Sequence, residues 1–228
     1  MSHTLYFCIN GIMTKPGHAH NWTARMNSWV NIHMQGEVRA DRYEYFSDIF
    51  FRNIEQRKRA DEIASKVSEY RRAGFRIVLI GHSNGAALIG ETLFSCGQEV
   101  DAVHLFSPAA KDKVFADFIR EGLVRRIHIY GSKNDSALKW AQRFGKASKY
   151  MPWMGKYGTL GLRGAEFAGY FPMTVKDHSN DAYDHGTWFD SNYTAYSQLP
   201  PFNLTMELLR KNDQEDQIKP PQPATTKL

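Results

Sequence analysis

Cysteine is almost missing from this chain: Cys8 and Cys96 are the only two among 228 residues. Both sit in apolar neighbourhoods, which excludes a disulfide framework and predicts buried thiols in a reducing, cytoplasmic compartment. No apolar run approaches the length of about 20 residues that spans a bilayer, so no integral membrane segment is expected. The start, Met1 to Cys8, lacks the basic opening, long apolar core and small-residue cleavage site of a secretory leader, and reads as a first core strand. Histidine and cysteine never fall at metal-ligand spacing, and neither a metal nor a cofactor is expected. A basic helix-turn-helix and interleaved aromatic RNP motifs are also missing, which excludes a nucleic-acid partner. There is no internal repeat, and nothing specifies an oligomer.

Charge is present but unconcentrated. The net charge is +5, yet the densest short basic run is only Arg57-Lys58-Arg59. Such scatter describes solvated helix and loop faces, with weak attraction to an anionic surface as the minor reading.

The 42% hydrophobic and 13% aromatic content suits one well-buried domain. Strand-like and helix-like segments alternate along it. Strands are expected at Thr4 to Ile9, Val38 to Phe46, Ile77 to Ile80, Val100 to Phe106, Ile127 to Tyr130 and Met173 to Lys176. Helices are expected from about Arg52 to Arg72 (capped by Ser47 or Asp48, stopped by Gly74), Asn84 to Ser95, Asp112 to Gly122 and Ser136 to Phe144. This rhythm predicts an α/β fold with a mostly parallel central sheet and helices on both faces. Residues 11–37 read as a loop, 145–172 as an irregular excursion, and 213–228 as a disordered tail behind a domain of residues 1–212.

The strongest chemical signal is Gly81-His82-Ser83-Asn84-Gly85, directly behind Ile77-Val78-Leu79-Ile80. A Gly-x-Ser-x-Gly pentad between strand and helix forms a sharp turn that lifts the serine hydroxyl clear of the backbone. A chain this long contains one by chance in about 8% of cases, so its context decides. Serine catalysis also needs a histidine to take the proton and an acid to orient it. In parallel sheets both belong at the carboxyl ends of strands. Asp135 follows the strand ending at Tyr130, and it also fits as a helix N-cap before Ser136. Asp177, Asp181 and Asp184 are outside alternatives, and Asp101 falls at the wrong end of its strand. His185 is the leading base, because a glycine and bulky aromatics follow it; His178 is its rival. His104 and His128 alternate with apolar residues and read as core, while His18, His20 and His33 lie in the early loop. An oxyanion hole needs two backbone N–H donors, for which Asn84 and Ile12 are the candidates. Gly11 allows the backbone to come close to the substrate, and His82 packs beside the turn at the substrate, without a proton-transfer role.

Together Asn10-Gly11-Ile12, the pentad, Asp135, and His185 with Trp188-Phe189 resemble the α/β-hydrolase superfamily, within it the small serine esterases and lipases. The resemblance covers about residues 4–210, with Asn10 where the family commonly has histidine. It implies a compact parallel-sheet core without a large lid domain, a Ser83–His185–Asp135 triad, and hydrolysis of a small-molecule or lipid ester (or thioester) through an acyl-enzyme. An acyltransferase with the same triad and a non-catalytic module on the same fold are the alternatives. The long interval between Asp135 and His185 makes residues 145–172 a small flap, where Met151, Trp153, Met154 and Phe167 line an acyl pocket or pack as local core.

Overall fold

A computed structural model describes residues 3–12, 21–34, 37–45, 55–147, 158–164, 166–190 and 200–218. Six strands form one parallel sheet: β1 (Thr4–Ile9), β2 (Val38–Tyr43), β3 (Arg76–His82), β4 (Ala102–Phe106), β5 (Ile127–Tyr130) and β6 (Val175–Asp177). Their spatial order is β2-β1-β3-β4-β5-β6. β1, β3, β4 and β5 are buried almost throughout, because helices cover both faces, and that is why they read as continuous apolar runs.

The helices are α1 (Trp22–His33), α2 (Gln56–Arg72), α3 (Asn84–Cys96), α4 (Asp112–Arg120), α5 (Ser136–Ala147), α6 (Leu160–Arg163) and α7 (Pro201–Ile218). One apolar cluster joins Leu5, Phe7, Leu79, Leu105 and Ile129 of the sheet to Ile63 and Val67 of α2, Ile89 of α3 and Phe115 of α4. The other joins Tyr6, Cys8, Ile80, Phe106 and Tyr130 to Met26 and Val30 of α1 and Met206 and Leu209 of α7. The split follows from right-handed crossovers. The chain steps one way from β1 to β2 and the other way from β3 to β4, so α1 and α3 fall on opposite faces. That reversal opens a crevice at the carboxyl ends of β1 and β3, where parallel sheets bind their ligands.

Three sequence expectations are corrected. The early loop contains α1, capped by Asn21 through its bond to the Thr23 N–H, with Trp22, Met26 and Val30 turned inward. The chain does not come loose at Asp213, because α7 continues to Ile218 with Asp213 and Asp216 both buried. The 145–172 excursion includes α6 and a 3-10 turn at Glu166–Tyr170, whose Phe167 joins the first cluster as core. Ser47, Asp48, His18, His20, Met151, Trp153, Met154 and the tail beyond Ile218 lie outside the described residues.

Candidate active site

β3 ends and α3 begins around Ser83, whose backbone has φ 54° and ψ −121°. Positive φ is costly for a residue with a side chain, so surrounding bonds must hold it. The Ser83 N–H donates to the Phe106 carbonyl at 2.9 Å, while its own carbonyl accepts from Ala86 at 3.1 Å and Ala109 at 3.0 Å. Close packing behind the turn explains the pentad's last glycine: a Cβ on Gly85 would stand 2.4 Å from the Ile9 carbonyl oxygen. Ser107, at the neighbouring end of β4, is the only other described non-glycine residue with positive φ. Among the described residues, left-handed backbone at residues with side chains is therefore confined to two adjacent strand ends.

Asp135 makes the contacts that both readings of it require. Its Oδ1 accepts the Leu138 N–H at 2.8 Å, capping α5, and its Oδ2 accepts Nδ1 of His185 at 2.8 Å. The cap fixes the carboxylate, which is fully buried, and the carboxylate fixes the imidazole. With Nδ1 donating to Asp135, Nε2 is the nitrogen left to exchange a proton, and no hydrogen bond occupies it among the described residues.

His185 is also held through its backbone. Its N–H donates to Asp184 Oδ1 at 2.7 Å, and its carbonyl accepts Nε2 of His82 at 2.9 Å. Asp184 accepts the Ser136 N–H at 2.7 Å too, joining the β5 and β6 loops. Its partial burial pushes the carboxyl pKa up, but the hydrogen bonds from Ser136 and His185 outweigh this and hold it below the usual range. The other late carboxylates are braces as well. Asp181 accepts the Lys133 N–H at 2.9 Å, and Asp177 accepts the Ser179 N–H at 2.9 Å. His178 lies apart from Asp135, with its Nε2 3.1 Å from both His128 Nδ1 and Asn212 Nδ2.

Across the crevice, Gly11 brings the β1 loop against the serine: a Cβ there would stand 3.0 Å from Ser83 Cβ. Asn10 anchors that loop by donating to the Tyr45 carbonyl at 3.1 Å and accepting its N–H at 3.2 Å. The Asn84 side chain donates to the Tyr45 hydroxyl at 2.9 Å. Tyr45 thus braces both segments that carry the candidate donors Ile12 and Asn84. Asn84 is the first residue of α3, at the helix end where backbone N–H groups point outward. The sequence reading missed Tyr45, and it took Trp22 for a pocket-shaping residue of a loop; Trp22 is instead the first residue of α1 and stacks on Phe189 at 4.3 Å beside His82. Asn21 followed by apolar residues at positions 22, 26 and 30 was the available signal for Trp22; for Tyr45 there was none.

Among the described residues, no group of three or more histidine, cysteine, aspartate or glutamate side chains could hold a metal ion. No described helix is long and apolar enough to cross a membrane.

No protein-family model matches this sequence, and no curated protein matches it. Its structure, however, is similar to several solved ones. Esterase PE8 is 10% identical with a TM-score of 0.54, over 94% of this chain and 93% of that one. Est1E from Butyrivibrio proteoclasticus is 14% identical with a TM-score of 0.54, over 96% and 90%. A variant of Arabidopsis thaliana SOBER1 is 10% identical with a TM-score of 0.55, over 96% and 100%. At these identities the likeness is one of fold.

Proposed function

From a chain that carries the compact α/β-hydrolase fold seen in small esterases, we propose a serine hydrolase that cleaves a carboxylic ester or thioester through an acyl-enzyme. The observation that carries this reading is the 2.8 Å Asp135–His185 hydrogen bond at the strand-end edge where Ser83 stands on its strained turn. Nε2 of His185 takes the Ser83 proton as Oγ attacks the substrate carbonyl, and Asp135 stabilises the imidazolium that forms. The Ile12 and Asn84 N–H groups receive the developing oxyanion. His185 then returns the proton to the leaving alcohol or thiol as the acyl-enzyme forms. In the second half, His185 draws a proton from water, the hydroxide oxygen attacks the acyl carbon, and Ser83 leaves with the proton restored. Gly11 lines the acyl carbonyl.

Est1E has been solved with ferulic acid bound, which supports including hydroxycinnamate esters among the substrates tested. A fluorophosphonate is expected to label wild-type protein at Ser83 and to leave Ser83→Ala unlabelled. A panel of p-nitrophenyl esters of increasing chain length should then give burst kinetics. Folded wild-type protein that neither labels nor turns over any ester would overturn the reading.

A further inference from the structure

The base proposed above lies on an irregular loop, with only a 3-10 turn at Thr187–Phe189 behind it. Catalytic geometry on a loop depends on its anchors, since a displacement of about 1 Å can cost about 100-fold in rate. His185 has three. Asp135 holds its ring, Asp184 its N–H and His82 its carbonyl. The first two come from the loops after β5 and β6. The third comes from the residue next to Ser83, and so it ties the base directly to the nucleophile's own turn.

Resting on the triad reading, the geometry points to His82 as a positioning residue: its Nε2–H clamps the His185 carbonyl and keeps the imidazole registered on Ser83. A carbonyl only accepts, so His82 Nε2 must be the donor and its Nδ1 the bare nitrogen. The ring is braced edge-on by Phe189 at 5.4 Å and Trp22 at 6.1 Å between centroids. Those two rings stack on each other, and Arg25 donates to the Phe189 carbonyl. Burial, with the nearby charge of His185, pushes the His82 pKa down to about 3, against weaker upward pulls from the hydrogen bond to the His185 carbonyl and from Asp135. The ring therefore stays neutral at working pH. That matters because its centroid is 4.8 Å from that of His185. A charged neighbour there would oppose the imidazolium that proton transfer creates.

The test compares two variants. His82→Phe keeps a flat ring and its contacts with Trp22 and Phe189 but removes the donor. His82→Gln keeps an N–H of similar reach. His82→Phe is expected to lower kcat about 10- to 100-fold with KM within about twofold, and His82→Gln to recover most of the loss. Three results would overturn the clamp: equal kcat in His82→Phe and wild type, equal losses in both variants at matched thermal stability, or a rise in KM with kcat intact. The last would instead make His82 a substrate contact. Ser83→Ala and His185→Ala run alongside. If they retain activity, the triad reading itself fails; if they are dead while His82→Phe is normal, only the clamp fails.

Discussion

Two histidine–carboxylate pairs with the same 2.8 Å separation hang from this sheet, and they are built for different ends. At its carboxyl edge His185 Nδ1 meets Asp135. Deep in the face covered by α7, His128 Nε2 meets Asp216. The edge pair leaves Nε2 of His185 unengaged among the described residues, on a side chain that keeps 21% of its surface. The deep pair spends both nitrogens of His128, the second on His178, and stacks it between His104 at 4.4 Å and His178 at 5.4 Å. Arg126 and Lys176 also approach Asp216, at 3.4 and 3.7 Å. A histidine bonded to aspartate is thus a structural unit that fits either role. An open second nitrogen, at the sheet edge where Ser83 stands on its strained turn, is what sets the first pair apart and what the proposed chemistry uses.

The sharpest way to break this contrast is to neutralise each acid in turn. Asp135→Asn should lower kcat by about 10⁴, because an amide holds the wrong imidazole tautomer, while the fold survives since asparagine caps helices as well as aspartate does. Asp216→Asn should leave kcat within about threefold, which the kcat effect of losing either acid reads directly. Comparable losses of kcat in both would erase the distinction.

Stability should reverse the order. Removing the Asp216 charge leaves Arg126, which is nearly buried, and His128 without their carboxylate. Breaking such a buried pair costs about 3–5 kcal/mol, so Asp216→Ala should unfold at markedly lower urea than wild type. An unchanged midpoint would mean that the deep network contributes nothing to folding.

The sequence disclosed the edge pair and concealed the deep one, for a physical reason. Ser83 and Asp135 each follow a strand that is buried on both faces and so reads as an apolar run; His185 follows the short, partly exposed β6 and was marked by the glycine and aromatics behind it. Asp213 and Asp216 read as the start of a polar tail. They actually continue the inward stripe of α7 from Phe202 through Met206 and Leu209. What lets carboxylates sit there are partners far away in the chain. Tyr6 and Arg76 bond Asp213 at 2.6 and 2.5 Å, and His128 bonds Asp216. Local periodicity carries no trace of such pairing. α1 was hidden differently, since polar residues interrupt its few apolar positions and only its Asn21 cap announces it.

Acid should separate the regions as well. Burial is the main cause holding the pKa of His104 and His128 well below the ordinary 6.5. In the unfolded chain both take up protons near 6.5, whereas in the folded protein they do not. The unfolded state therefore binds more protons below that pH, so stability is full above about 6.5 and falls as the solution is acidified. Each histidine contributes up to about 1.4 kcal/mol per pH unit. Between pH 6.5 and 5.5 the pair should remove at most about 2 kcal/mol, measured by urea unfolding at each pH. His104→Gln should flatten the slope; an identical slope in that variant would place the sensitivity elsewhere.

The smallest effect lies on α7 between the two regions. Thr205 is buried, and its hydroxyl has no hydrogen-bond partner among the described residues. A buried hydroxyl in that state forfeits its hydration without return, at a cost of about 1–3 kcal/mol. Valine has nearly the same shape and similar helix propensity, so Thr205→Val should raise stability by about 1 kcal/mol with kcat unchanged. The gain should also persist unchanged at pH 5.5, because Thr205 takes no part in either histidine pair. A stabilisation that vanished on acidification would show instead that the hydroxyl belongs to the deep network, extending it toward the Phe202 end of the helix.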